Sequence, residues 1–113
     1  MGVSAEVAAE VADAMFALST PSRVQILGCL LEGPLTVTEL MQALEMEQSA
    51  VSHQLRVLRE HELVKAEWQG RRRLYALADE HVVALLEEAL RHVEGGKRRA
   101  SRRARPAAGE AGR

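Results

Sequence analysis

Apolar residues at Val7, Val11, Ala14 and Leu18 recur at helical spacing and predict a first helix from about residue 4 to 18. Thr20-Pro21 opens a second helix, because threonine caps and proline fits the first helical position. Val24, Leu27, Leu30 and Leu31 form its apolar face, and Gly33-Pro34 ends it. Thr36-Val37-Thr38-Glu39 has the form of a capping box, in which Thr36 and Glu39 satisfy each other's backbone amides. It starts a short third helix through Leu40 and Leu44. Glu45-Met46-Glu47 is a turn into a fourth helix, about 48 to 61, whose Leu55 and Leu58 lie within about 40° of Val51. Two strand-like runs follow, 64–68 and 71–77, around Gln69-Gly70 as the hairpin turn. A last helical segment carries Val82, Leu85, Leu86 and Leu90.

Two helices joined by a short turn suggest a helix-turn-helix, and a basic hairpin directly after it is the wing of a winged helix. The expected fold class is therefore mainly α with a small β-hairpin, a winged helix-turn-helix. The far arc of the fourth helix, between about 80° and 200° from Val51, carries Ser49, Ser52, His53, Arg56 and Arg59 and no carboxylate. Serine and arginine suit phosphate oxygens and base edges in a major groove. Alone, this arc reads first as an ordinary solvated helix face. The hairpin changes the balance, since residues 48–75 hold six Lys/Arg against three Glu. Expected DNA contacts are Gln48, Ser49, Ser52, His53 and Arg56 in the groove, with Lys65, Arg71, Arg72 and Arg73 along the sugar-phosphate backbone.

At 113 residues the chain is one small domain, 47% hydrophobic, with Phe16, Trp68 and Tyr75 as its only aromatics. The apolar residues of the first and last helices are more than so small a domain can bury, which predicts a homodimer. The net charge of −1 hides an asymmetry: seven Lys/Arg and one acidic residue fall from Lys97 onward, leaving eight basic and fifteen acidic residues in 1–96. The expected organisation is a DNA-binding and dimerisation domain over 1–96 and a basic, flexible tail over 97–113, or a basic arm adding non-specific affinity for nucleic acid. The single cysteine, Cys29, excludes an internal disulfide. With no apolar run near the ~20 residues of a membrane span and no signal peptide, the expected location is the cytoplasm. Cys29 is expected as a small core residue, and Met15, Met41 and Met46 as packing residues. His61 is expected at the end of the fourth helix. No nucleophile elbow, phosphate loop or paired catalytic carboxylates occur, so no enzymatic activity is expected.

The segment DEHVVALLEEALRH places His81 and His92 eleven residues apart. On a helix that is about 1100°, within roughly 20° of three full turns, so the imidazoles share a face but sit about 16 Å apart. A metal ion reaches nitrogen at about 2.0–2.1 Å, so one helix cannot close both on one ion. Either they are unrelated surface residues or a second helix completes a site.

From about residue 13 to 95 the chain resembles the ArsR/SmtB metal-responsive regulators. The resemblance is carried by ALSTPSRVQILGCLLEGPLTVTEL, MEQSAVSHQLRVLREHELV, the GRRRLYAL wing and DEHVVALLEEALRH, and the wording around MEQSAVSHQLRVLR is most like the nickel/cobalt-sensing branch. It implies a homodimeric, operator-binding winged helix with the first and last helices at the dimer interface. It also implies a metal site on the last helix, of pattern D-x-H, ten residues, then H-x-x-H or H-x-x-E. Asp79, His81 and His92 match three positions, and Gly95 stands at the fourth. Antiparallel copies of the helix across a dimer axis would bring His92 of one chain beside Asp79 and His81 of the other. Asp and neutral His suit Ni(II), Co(II) or Zn(II), and an open, water-rich sphere favours Ni(II) or Co(II). Water, Glu94 or a group from the amino-terminal segment would fill the remaining positions, Glu94 only if the helix ends at Gly95-Gly96, because it lies about 200° from His92 on a regular helix. The expected function is a sequence-specific transcriptional regulator responsive to a divalent transition metal. Its expected partners are a double-stranded DNA operator and a second copy, with a co-regulator protein as a further candidate. The alternative is a DNA-binding winged helix, or a protein-partner module, without direct metal sensing.

Overall fold

A computed structural model describes residues 2–104 and the side chains of residues 2–96. Its elements in order are α1 (Ala5–Ala17), α2 (Pro21–Leu30), α3 (Val37–Leu44), α4 (Gln48–Glu60), β1 (Val64–Gln69), β2 (Arg72–Leu77) and α5 (Glu80–Ala104). The starts are set by local chemistry. Ser4 caps α1 by accepting from Val7 N, and Thr20 caps α2 ahead of Pro21. At α3, Thr36 and Glu39 form the expected reciprocal capping box. Glu45 then ends α3 in the left-handed region at φ 54°, a conformation non-glycine residues seldom adopt, and this reverses the chain into α4.

The core is aliphatic and sits where α2, α3 and α4 meet the hairpin and the start of α5. Ile26, Leu27, Leu40, Val51, Leu55 and Leu58 are its most buried large side chains, joined by Leu63, Val64, Tyr75, Leu77, Val82 and Leu86. The face of α4 is as expected. That of α2 is rotated: Arg23, Ile26, Leu27 and Leu30 point inward, while Val24 and Leu31 are only half-buried. One helical stripe thus runs from the apolar residues into an arginine. Arg23 is satisfied by carbonyls, Nε donating to Ala17 O at 2.5 Å, Nη2 to Phe16 O at 3.3 Å and Nη1 to Gln54 Oε1 at 3.1 Å. The guanidinium ties the carboxyl end of α1 to α4.

The rest of α1 faces outward. Ala17 is its one buried residue, and Val7, Val11, Met15 and Phe16 are 44%, 47%, 46% and 69% exposed. The expectation that Met15 packs in the core is corrected here: within one chain it lies on this open apolar face. Cys29 is half-buried against the core, and burial with the nearby Glu32 pushes its thiol pKa up, so it is a poor thiolate.

The strands pair antiparallel from Val64↔Leu77 to Gln69↔Arg72. The two-residue loop is therefore Gly70-Arg71, one residue later than expected. Gly70 takes φ +63° at the first loop position, where a type II′ connection places glycine. Leu35 adds two rungs beside β2, its N–H donating to Tyr75 O at 2.9 Å and its carbonyl accepting from Tyr75 N at 2.8 Å. The wing is thereby fastened to the segment that leads into α3.

The last helix does not end at Gly95-Gly96. It continues to Ala104, because the Lys, Arg and Ala that follow are good helix formers and carry it past two glycines. The segment expected as a tail, 97–113, thus begins inside α5, and residues 105–113 lie outside the described residues. Among the described residues no helix is long and apolar enough to cross a membrane.

Candidate nucleic-acid interface and metal centre

Because Val51, Leu55 and Leu58 bury one face of α4, the opposite face is held outward beside the wing. A concavity between them is lined by Ser49, Ser52, His53, Arg56, Arg59 and Arg73, with Tyr75 behind. His53 Nδ1 and Arg56 Nη2 lie 3.2 Å apart, an arrangement in which a neutral imidazole accepts from the guanidinium. Gln48 is exposed at the first position of α4, and Glu47 supplies no side-chain cap there. Of the groove residues expected from the sequence, Ser49, Ser52, His53 and Arg56 therefore line one surface.

The hairpin separates its basic residues by register. Residues opposite one another in an antiparallel pair share a face, and successive residues alternate. Trp68↔Arg73 and Ala66↔Tyr75 put Arg73 on the face of the two aromatic rings. Its guanidinium stands 5.9 Å from the Trp68 centroid and 5.3 Å from that of Tyr75, which fixes it toward α4. Arg72, opposite Gln69, is on the other face and donates through Nη2 to Glu39 Oε2 at 3.2 Å. Arg71 is exposed in the loop and makes no ion pair among the described residues. Lys65 is not with them. It lies opposite Ala76 at the base of the hairpin, beside Glu62 and Asp79, about 13 Å along the strand from Gln69.

Three contributors were absent from the expected contact set. Arg59 lines the groove, and Trp68 and Tyr75 hold Arg73. Two-residue alternation along the hairpin was the signal for the aromatics, since it places 68, 73 and 75 on one face.

For the metal residues, Asp79 precedes α5 and caps it, Oδ1 accepting from Val82 N at 3.0 Å, so Oδ2 is the oxygen turned to other uses. His81 and His92 are exposed on α5. Among the described residues no three His, Cys, Asp or Glu side chains gather within one chain. The donor types fit a borderline divalent ion, but only with ligands from elsewhere. Glu94 is corrected: α5 is unbroken at Gly95-Gly96, which leaves its side chain about 200° around the helix from His92. Asp79 also borders a second concavity with Lys65, Arg56 and Arg59, so the amino-terminal end of the candidate metal centre adjoins the carboxyl half of α4.

Residues 20–66 match the model of the bacterial regulatory protein, arsR family. The chain is 53% identical over 92 residues to the HTH-type transcriptional regulator NmtR of Mycobacterium tuberculosis, covering 81% of this chain and 77% of that one. The solution structure of apo-NmtR superimposes with a TM-score of 0.72, at 52% identity over 84% of this chain and 80% of NmtR. The transcriptional repressor SmtB homologue of Synechocystis is 40% identical, over 81% of this chain and 70% of its own length. The homodimeric winged helix-turn-helix DNA-binding domain of Mb0332 from Mycobacterium bovis aligns at 33% identity and a TM-score of 0.71, over 83% of this chain and 94% of that domain. With a winged helix-turn-helix presenting a basic groove, and relatives of this identity over this length, the chain belongs to the ArsR family of bacterial transcriptional regulators.

Proposed function

We propose that this regulator works as a homodimer that binds an operator through α4 and the wing, and that a divalent transition metal held between the two α5 helices alters that binding. The observation that carries the reading is the concavity shared by Asp79 with Arg56 and Arg59: a ligand of the proposed site and the groove-facing arginines border one space. The dimer is supported by the open apolar face of α1, with Val93 of α5 also 54% exposed, and by the homodimeric relative. In this reading Asp79 and His81 of one protomer and His92 of the partner hold the ion. It would supply a fixed positive charge drawing the two helices together. Two imidazoles and a carboxylate, with Gly95 leaving positions for water, favour Ni(II) or Co(II) over a closed zinc site.

The test is operator affinity, on a fragment upstream of the protein's own gene, measured with and without nickel. A coupling of about 1–3 kcal/mol is expected, and operator should change nickel affinity by the same factor. A second reading, DNA binding without direct metal sensing, is favoured by Gly95 at the fourth ligand position. Nickel that neither binds nor shifts operator affinity would establish it.

Contacts within the interface should divide by kind. Arg56→Ala should cost roughly 1–3 kcal/mol more on the operator than on random DNA, because it removes a base-edge contact. Arg71→Ala should weaken both alike and flatten the salt dependence, because it removes a phosphate contact. Competition titrations at several salt concentrations measure both, and an unchanged specificity ratio for Arg56→Ala would remove α4's assignment as the reading helix.

A further inference from the structure

The wing arginines are not equally available. Arg71 is unpaired among the described residues and Arg73 is held by aromatic rings, but Arg72 carries an acid of its own, Glu39. Both oxygens of that carboxylate are in use. Oε1 accepts from Thr36 N at 2.8 Å and from Thr36 Oγ1 at 3.2 Å, and Oε2 accepts from Arg72 Nη2 at 3.2 Å. The capping box therefore locks the carboxylate in place before Arg72 meets it. The Thr36 hydrogen bonds, with a smaller pull from Arg72, hold the Glu39 carboxyl below the usual carboxylate range, so it is charged throughout the neutral region.

The position is informative as well. Thr36, Thr38, Ser52, Arg71 and Arg72 line one concavity, so this carboxylate sits at the edge of the surface that would face a phosphate backbone. The pair is exposed, with 59% of the Arg72 side chain and 41% of the Glu39 side chain open to water. Such pairs are weak, and a phosphate can exchange for the carboxylate. We propose that Glu39 is an internal competitor for DNA phosphate at Arg72, and that it sets the sequence-independent affinity of the wing. An arginine pre-neutralised by its own chain adds less to DNA binding than a free one, because part of what the phosphate contact gains is spent releasing Glu39. The brake acts on every DNA sequence, since it concerns the backbone and not base edges.

Glu39→Gln tests this cleanly. Glutamine preserves the capping box, so α3 keeps its start, while the charge opposing Arg72 is lost. Affinity for operator and for random DNA should both rise, by roughly two- to fivefold. The salt slope should steepen by about 0.9, the value of one more neutralised phosphate. In an Arg72→Ala background the same substitution should change neither quantity. A gain that persists without Arg72 would mean that Glu39 acts only by general repulsion of DNA, and overturns the proposal. So does the absence of any gain in the parent chain. The proposal rests on the wing reaching DNA, and Arg71→Ala separates the two failures. A salt slope unmoved by Arg71→Ala removes the wing reading and this one with it. A slope that falls with Arg71→Ala, while Glu39→Gln has no effect, overturns this one alone.

Discussion

Arg23→Met should destabilise the fold by about 3 kcal/mol, a larger loss than any substitution on the DNA-facing surface should cause. The guanidinium is the one buried charged group among the described residues, and it donates to two carbonyls at the end of α1 and to the amide oxygen of Gln54. Methionine has similar bulk, so little packing is lost, but Ala17 O and Gln54 Oε1 are left without a donor, while Phe16 O keeps those of Ser19 N and Ser19 Oγ. Each unsatisfied buried acceptor costs about 1–3 kcal/mol, part of which water entering near the chain surface recovers. Arg23 also lies in the first turn of α2, where the helix dipole disfavours a cation, so its benefit must come from these three bonds. Lysine should recover less than half of the loss. Its single ammonium cannot reproduce a fork that reaches acceptors on two helices. Urea unfolding at fixed protomer concentration measures the effect, since dimerisation makes stability concentration-dependent. A loss under about 1 kcal/mol would show that α1 is anchored by something other than this fork.

His81→Ala and His92→Ala should each abolish both nickel sites of the dimer, although the two positions are about 16 Å apart along α5. Each proposed site takes His81 from one protomer and His92 from its partner, so either substitution damages both sites symmetrically. A mixed dimer, one protomer of each variant purified through two different tags, is the decisive case. One of its sites lacks both histidines and the other lacks neither, so one parent-like site should return. Calorimetric titration with nickel counts it directly. Independent binding at each histidine would give no recovery on mixing, and would remove the interfacial site while leaving the winged helix intact. Gly95→His should tighten binding at every site, by supplying the side chain missing at the fourth position.

The helices and the hairpin were legible in the sequence because their signals are local. The Thr36 capping box, Pro21 after Thr20 and the Val51-Leu55-Leu58 stripe are each set by residues within one or two turns. The inward turn of Arg23 was not legible, because an arginine becomes a core residue only when distant carbonyls meet its donors, and Gln54 is thirty-one positions away. The end of α5 was misread for a different reason. Glycine pairs signal a stop, but each costs only about 1 kcal/mol in a helix, and the residues beyond favour continuation. The division of labour among Arg71, Arg72 and Arg73 depends on where the turn falls: a turn at Gln69-Gly70 would pair Arg71 with Trp68, whereas the turn at Gly70-Arg71 leaves Arg71 in the loop and sets Arg73 opposite Trp68. The metal residues stand out in the sequence as a pattern, yet one protomer shows only a capped helix with two exposed imidazoles.

The two rungs between Leu35 and Tyr75 have a consequence for control. They fasten the wing to the approach of α3, while Val64, Tyr75 and the leucines of α4 share one core. In the proposed mode of binding, α4 and the wing, packed on one core, therefore move as one unit. In the proposed dimer the adjustable quantity is the angle between two such units, set against half-sites spaced one helical turn apart on DNA, about 34–36 Å. Control then becomes a question of phasing: a small rotation of one protomer against the other moves both heads off the groove without remodelling either.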